Sequence, residues 1–159
     1  MSRIRVAVIT VSDRCAAGEA QDRSGPHAVE LLTAAGYAVQ TRIVPDGVTS
    51  VQQAIGAEIA DGARIVFTTG GTGIAPRDHT PEALAGLLER TIPGITEEIR
   101  RVGARETGAA LLSRAVAGTV GSTFILAMPG SPAAVASSLQ VVLPLLDHIL
   151  AQLQGADHG

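Results

Sequence analysis

The stretch TTGGTGIAPRD, Thr68 to Asp78, sets Gly70, Gly71 and Gly73 directly after an apolar run and ends on an aspartate. Glycine permits positive φ and lets successive amides point at one anion. Thr69 and Thr72 add hydroxyls to the same loop. It is not a dinucleotide fingerprint, because the pattern meets Pro76 where a third spaced glycine would be needed, and it lacks the Gly-Lys-Ser/Thr of a P-loop. A second phosphate-holding candidate is PGSP, Pro129 to Pro132, where Gly130 precedes Ser131 at a capped helix start. Read alone, either loop is also compatible with a tight structural turn.

Magnitudes limit what such loops do unaided. A helix N-terminus offers about half a unit charge and roughly 0.3–1 kcal/mol, whereas a nucleoside triphosphate carries several charges. All 12 basic residues are arginine, so lysine chemistry of every kind is excluded. Arg14 and Arg77 do not suffice, and a divalent metal such as Mg2+ is the natural supplement. Mg2+ takes one or two carboxylates plus phosphate and water. Asp46, in PDG, and Asp78, in PRD, are the candidates for metal binding and catalysis. Singly, Asp46 reads as a turn residue and Asp78 as support for a following helix; together, in facing loops, they read as a metal–phosphate pair. Asp13 and Asp22 read first as turn or surface residues, and His79 as a loop residue. His27, His148 and His158 have no ligand spacing. Ser113, in LLSRAV, is not in a nucleophile elbow. The EEIRR segment reads as a solvated helix face.

These residues need a frame. With 159 residues, 46% hydrophobic and 2% aromatic, the chain reads as one domain, 1–159, of small aliphatic residues covering both faces of a sheet. A net charge of −3 without a basic run, and few aromatic rings, exclude nucleic acid as a partner. Cys15 stands alone, so neither a disulfide framework nor a thiolate zinc site is expected. The N-terminal run MSRIRVAVITV is too short to span a bilayer. No membrane association and a cytoplasmic location are the expectation.

The pattern predicts strands at Ile4–Val11, Ala38–Val44, Arg64–Thr68, Ala115–Val120 and Thr123–Met128, the last two joined at Gly121. Helices are expected from Ser24 to Gly36, from a Thr49 or Ser50 cap to Asp61, from a Thr80 cap over Pro81–Arg90, after Pro93-Gly94, and from Ser131 onward with a kink at Pro144. The alternation defines a three-layer α/β/α domain with a mostly parallel sheet and a mixed edge. In such sheets ligands lie beyond the carboxyl ends of the strands. The loops Ser12–Arg14, Pro45–Gly47, Gly70–Asp78 and Pro129–Pro132 all leave strands there.

The segments ITVSDR, VPD, TTGGTGIAPRDHTPEA, Pro93-Gly94, LLSRAVAGTVGST and MPGSP occur in that order from Val6 to about Pro132. In this they resemble the molybdopterin adenylyltransferase family, the Mog/MoaB-type proteins of molybdenum-cofactor biosynthesis, whose fold recurs in the G domain of gephyrin. The resemblance implies Mg2+-dependent transfer of AMP from ATP to molybdopterin, with release of pyrophosphate. It implies Asp46 and Asp78 as the catalytic pair, and Gly70, Gly71, Thr72, Gly73, Gly130 and Ser131 as nucleotide ligands. It places Ser113 near the pterin, with Thr69, Ser12 and Asp13 lining the site. It further implies a homotrimer or hexamer, to which the apolar VVLPLLDHILAQL would contribute a shared face, and hand-over to a molybdenum-insertion protein. Two departures stand out. Many members carry a second acidic residue where this chain has Gly47, and some carry a serine in the turn near Gly103, where this chain has none. A family member that binds molybdopterin without transferring AMP is the alternative reading.

Overall fold

The computed structural model describes residues 3–156; Met1, Ser2 and His158 lie outside them. The run of β-branched residues after Arg5 forms β1 (Arg5–Val11), buried from Val6 onward. Parallel to it on one side lies β2 (Ala38–Val44), and on the other β3 (Ile65–Thr69). The sheet continues through β6 (Thr123–Met128), parallel to β3, to the antiparallel β5 (Ala117–Val120) and β4 (Arg90–Thr91). The order is therefore β2-β1-β3-β6-β5-β4, mostly parallel with a mixed edge, as the alternation of elements predicts.

Because side chains alternate along a strand, each central strand feeds two cores. Val6, Val8, Ile65, Phe67, Phe124, Leu126 and Met128 face one side. They pack there on α2 (Ser24–Ala34), α5 (Pro93–Ala104), α6 (Pro132–Val142) and α7 (Leu146–Leu153). Ala7, Ile9, Val11, Val66, Ile125 and Ala127 face the other side, against α3 (Val48–Ala60) and α4 (Thr80–Ala85). Fully burying a large apolar side chain contributes about 1.5–3 kcal/mol, so both helix layers are firmly held. Since α2 and α3 cover opposite faces, the chain reverses direction between β1 and β3, and the crevice above that point is where a ligand site belongs.

Four local expectations are corrected. Thr80 does not cap α4: it is the first helical residue, and its hydroxyl donates to the Gly70 carbonyl at 2.9 Å. That helix ends at Ala85, and Arg90, expected as its last residue, opens the two-residue strand β4. Neither Thr49 nor Ser50 caps α3, whose cap is Gly47; the Ser50 hydroxyl donates to the Pro45 carbonyl instead, at 2.7 Å. A short helix α1 (Asp13–Ala16) occupies a segment expected as loop, and a 3-10 turn forms at Gly108–Leu112, between the expected helix and strand. Pro144 does interrupt the last helix, through a 3-10 turn at Leu143–Leu145.

By length and composition alone, Pro132–Leu153 would pass for a membrane-crossing helix. Here Val135, Leu139, Val142, Leu146 and Leu150 are spent on the core. In the same segment Val141, Leu143, Ile149 and Leu153 are only partly buried and Leu145 is exposed.

Candidate active site

Each expected loop is built by local chemistry. Ser12 extends from β1, its amide held by the Val44 carbonyl at 2.9 Å, and its Oγ accepts from Cys15 N at 3.2 Å to start α1. This leaves Asp13 facing the turn after β2. Asp13 N donates to Asp46 Oδ2, and Asp46 N donates to Asp13 Oδ1, both at 3.0 Å. The loops after β1 and β2 are thus stapled by a reciprocal carboxylate–amide pair, so Asp13 is more than a surface residue. Asp22 also has a structural duty, accepting from Thr10 Oγ1 at 2.7 Å and from Gly25 N at the head of α2 at 3.0 Å.

The glycine loop needs its glycines for two different reasons. Gly71 has φ +70°, and a Cβ there would lie 2.3 Å from Thr80 Oγ1 and 3.2 Å from Asp46 Oδ1. Gly73 does not use positive φ, contrary to expectation; it is small because a Cβ would come within 2.8 Å of Asp78 Oδ2. Asp46 and Asp78 therefore sit against the same few residues of backbone, from two strand ends. Asp78 Oδ2 accepts from Ala75 N at 2.9 Å, which fixes its carboxylate over the loop.

Asp46, Asp78, Asp13, Ser12, Thr69, Gly70, Gly71 and Gly130 line one cavity of about 360 Å³, together with Arg14, Arg23 and Arg77. Desolvation pushes the Asp46 carboxyl above its ordinary value, and the charges of Asp13 and Asp78 push the same way; the Asp13 amide and Arg77 oppose them. A raised pKa in a carboxylate cluster marks a place that gains from a cation. Asp46 and Asp78 each have one oxygen fixed by an amide and the other, Oδ1, without a donor among the described residues. No group of three or more His, Cys, Asp or Glu side chains with metal-ligand geometry occurs among the described residues. These hard oxygens, two protein ligands at most, suit Mg2+ that keeps water and phosphate, and do not suit a closed structural metal site.

A second cavity of about 320 Å³ begins at Gly130 and runs between the 3-10 turn and α6; Thr72, Gly73, Ser113, Ser131, Ala109 and Ala134 are among its lining residues. The expected site residues divide between the two cavities. Thr72, Gly73 and Ser131, expected on the nucleotide, belong to the second cavity. Ser12, Asp13 and Thr69, expected near the pterin with Ser113, line the first. Thr69 is fully buried, and its hydroxyl donates to the Pro129 carbonyl at 3.0 Å, which braces β3 against the loop after β6.

The family departures have physical reasons here. Gly47 has φ +141°, a conformation that favours glycine over an acidic residue. At Gly103 a Cβ would meet that of Ala110 at 2.9 Å. In EEIRR, Glu98 and Arg101 do pair on the surface, but Arg100 turns inward to the Ser113 and Ala115 carbonyls, at 3.2 and 3.1 Å. Sequence reasoning assigned nothing to Arg114. Its only signal there is a lone charge entering a strand segment, while its contacts lie about forty residues away on the glycine loop.

Fold and site together define an α/β domain that brings a carboxylate-rich crevice and an apolar cavity to one glycine loop. Residues 7–148 match the family described as "Probable molybdopterin binding domain", and the chain belongs to that family. It is 46% identical over 160 residues to the molybdenum cofactor biosynthesis bifunctional protein of Synechococcus elongatus, all of this chain matching 50% of that protein. The chain thus spans about half the length of such curated relatives. It is 34% identical over 147 residues to the molybdopterin adenylyltransferase of Escherichia coli K12, covering 89% of this chain and 75% of that protein. The crystal structure of the molybdopterin biosynthesis enzyme MoaB from Thermus thermophilus superposes with a TM-score of 0.88 at 42% identity, covering 96% and 97% of the two chains.

Proposed function

We propose that the chain is a molybdopterin adenylyltransferase of molybdenum-cofactor biosynthesis, moving AMP from ATP to the terminal phosphate of molybdopterin. The observation that carries this reading is the convergence of Asp46 and Asp78, from separate strand ends, on one glycine loop. The adenylyltransferase name of the Escherichia coli relative points the same way. In this reading the first cavity takes the triphosphate and the second, less polar one takes the pterin, with the glycine loop and Gly130 between them.

Asp46 and Asp78 would hold Mg2+, which draws charge from the phosphates when bound. Gly71, on the wall of the first cavity, would offer its amide to the phosphate chain, and Arg77 adds charge at the rim. A pterin phosphate oxygen forms a bond to the α-phosphorus of ATP while the bond to the β-phosphate oxygen breaks, and pyrophosphate leaves with that electron pair. The chain's own contribution is alignment and a preorganised field. No nucleophilic side chain is required, in keeping with the place of Ser113 outside any nucleophile elbow.

The test is incubation of purified protein with molybdopterin, ATP and Mg2+, followed by detection of adenylylated pterin and pyrophosphate. Product that requires all three components is expected. Tight pterin binding with no product would replace this reading with that of a molybdopterin carrier, a role to which Gly47 in place of a second acid lends some support. A trimeric or hexameric assembly and hand-over to a molybdenum-insertion protein belong to the same proposal. Light scattering that gave a monomer would remove the first.

A further inference from the structure

The Arg114 side chain spans the glycine loop. Its Nε donates to the Gly73 carbonyl and its Nη2 to the Asp78 carbonyl, both at 2.9 Å, and its Nη1 pairs with Glu82 on α4. Its backbone amide donates to the Thr72 carbonyl at 2.7 Å. The anchor is firm, because Arg100 of α5 holds the carbonyls on either side, those of Ser113 and Ala115.

The two carbonyls gripped by Arg114 bracket the turn that presents the Asp78 carboxylate. Asp78 Oδ2 lies over Gly73, and its only donor among the described residues is Ala75 N, inside the same turn. Fixing the Gly73 and Asp78 carbonyls relative to each other therefore fixes where that carboxylate points. A guanidinium satisfies three acceptors in one plane, which an ammonium on a flexible stem does not.

We propose that Arg114 is the positioning residue of the Asp78 carboxylate, binding Gly73 and Asp78, the two ends of the turn that presents it, into one geometry while its neighbour Ser113 lines the apolar cavity. The inference rests on the adenylyl-transfer reading for its kinetic consequence. Residues that orient metal ligands typically change metal affinity or activity by about 10–100-fold when removed, and that range is expected here.

The experiment compares the full chain with Arg114→Ala, Arg114→Lys and Glu82→Gln. It measures the Mg2+ concentration for half-maximal transfer, the KM for molybdopterin, and Mn2+ binding by electron paramagnetic resonance with a non-hydrolysable ATP analogue. Metal-free melting curves check folding. The Mg2+ requirement rises about 10–100-fold in Arg114→Ala, less in Arg114→Lys and least in Glu82→Gln. Mn2+ affinity falls in the same order, while the molybdopterin KM stays within about twofold. Should Arg114→Ala not fold, the two milder variants carry the ordering. Wild-type Mg2+ and Mn2+ behaviour in every folded variant overturns the proposal, as does a rise in pterin KM parallel to the rise in Mg2+ requirement. Absence of product from the unmodified chain defeats the adenylyl-transfer reading instead, and the Mn2+ measurement still decides the role of Arg114.

Discussion

The two cavities above the sheet are similar in size and opposite in chemistry. The first, at the ends of the parallel strands, gathers Asp13, Asp46 and Asp78 with Arg14, Arg23 and Arg77. The second, walled by the 3-10 turn and α6, offers alanine, glycine, proline and serine, with Glu106 as its one acidic residue. The difference follows from their walls. Loops that leave parallel strands at one end can place charge there at little cost to the core, whereas the second cavity borrows a face of α6, whose other side packs on the sheet. One loop serves both, Gly70 and Gly71 on one side and Thr72 and Gly73 on the other. In the proposed reading, a charged ligand and a less polar one would meet edge to edge across that loop.

If the cavities divide the work in this way, substitutions in each have separable effects. The largest is expected in the acidic cavity. Asp46→Asn and Asp78→Asn each lower adenylyl transfer by about 10²–10³-fold, the range seen on removing one preorganised electrostatic group, while the pterin KM changes little. Steady-state kinetics with each substrate varied checks this, and equal losses on both substrates would erase the distinction. In the second cavity, Ala109→Phe, at an exposed lining position, raises the molybdopterin KM about tenfold, or about 1.4 kcal/mol, and leaves ATP-analogue affinity unchanged in titration calorimetry.

At the shared loop, Gly71→Ala forces a side chain to φ +70° and against Thr80 Oγ1. Strain of this kind costs about 1–3 kcal/mol, so the melting temperature falls by about 2–4 °C for each kcal/mol. The smallest effect is on stability alone. The Asp46 carboxyl is raised above its ordinary value of 3.8 by burial first and by neighbouring charge second. In the window above that value the folded protein holds the proton more than the unfolded chain does, so this group's contribution to stability falls as pH rises through it. Asp46→Asn accordingly melts slightly higher than wild type at pH 7 without Mg2+, and the gap closes as the pH approaches 3. A lower melting temperature at pH 7 would show that the Asp13 amide outweighs burial.

How far the sequence disclosed this depends on the range of the interaction. Val6–Val11 and Ile65–Thr69 are apolar over most of their length and end at polar loops, so the strands and the end of the sheet carrying the site were legible. The aspartates were legible because an acidic group in a turn beyond a buried strand has no packing role. Strand β4 was not, since two exposed residues show no alternation. Thr80 followed by Pro81 has the local form of a cap, but Thr80 is already helical, its hydroxyl and amide donating to the Gly70 and Gly71 carbonyls about ten residues back. Arg114 and the Asp13–Asp46 staple escaped for the same reason: their partners are set by which strands adjoin, not by neighbours in the chain. Thr69, the last residue of β3, and Thr72, three residues on, divide between two cavities, which spacing alone does not reveal.

The staple between Asp13 and Asp46 has a consequence for hydrogen exchange. Each amide proton is shielded by the carboxylate of the other residue, so neither can open to solvent alone without also releasing the partner loop. The two amides therefore share a single opening event. In deuterium the turns after β1 and β2 would exchange in step, as one unit drawn from segments thirty-three residues apart.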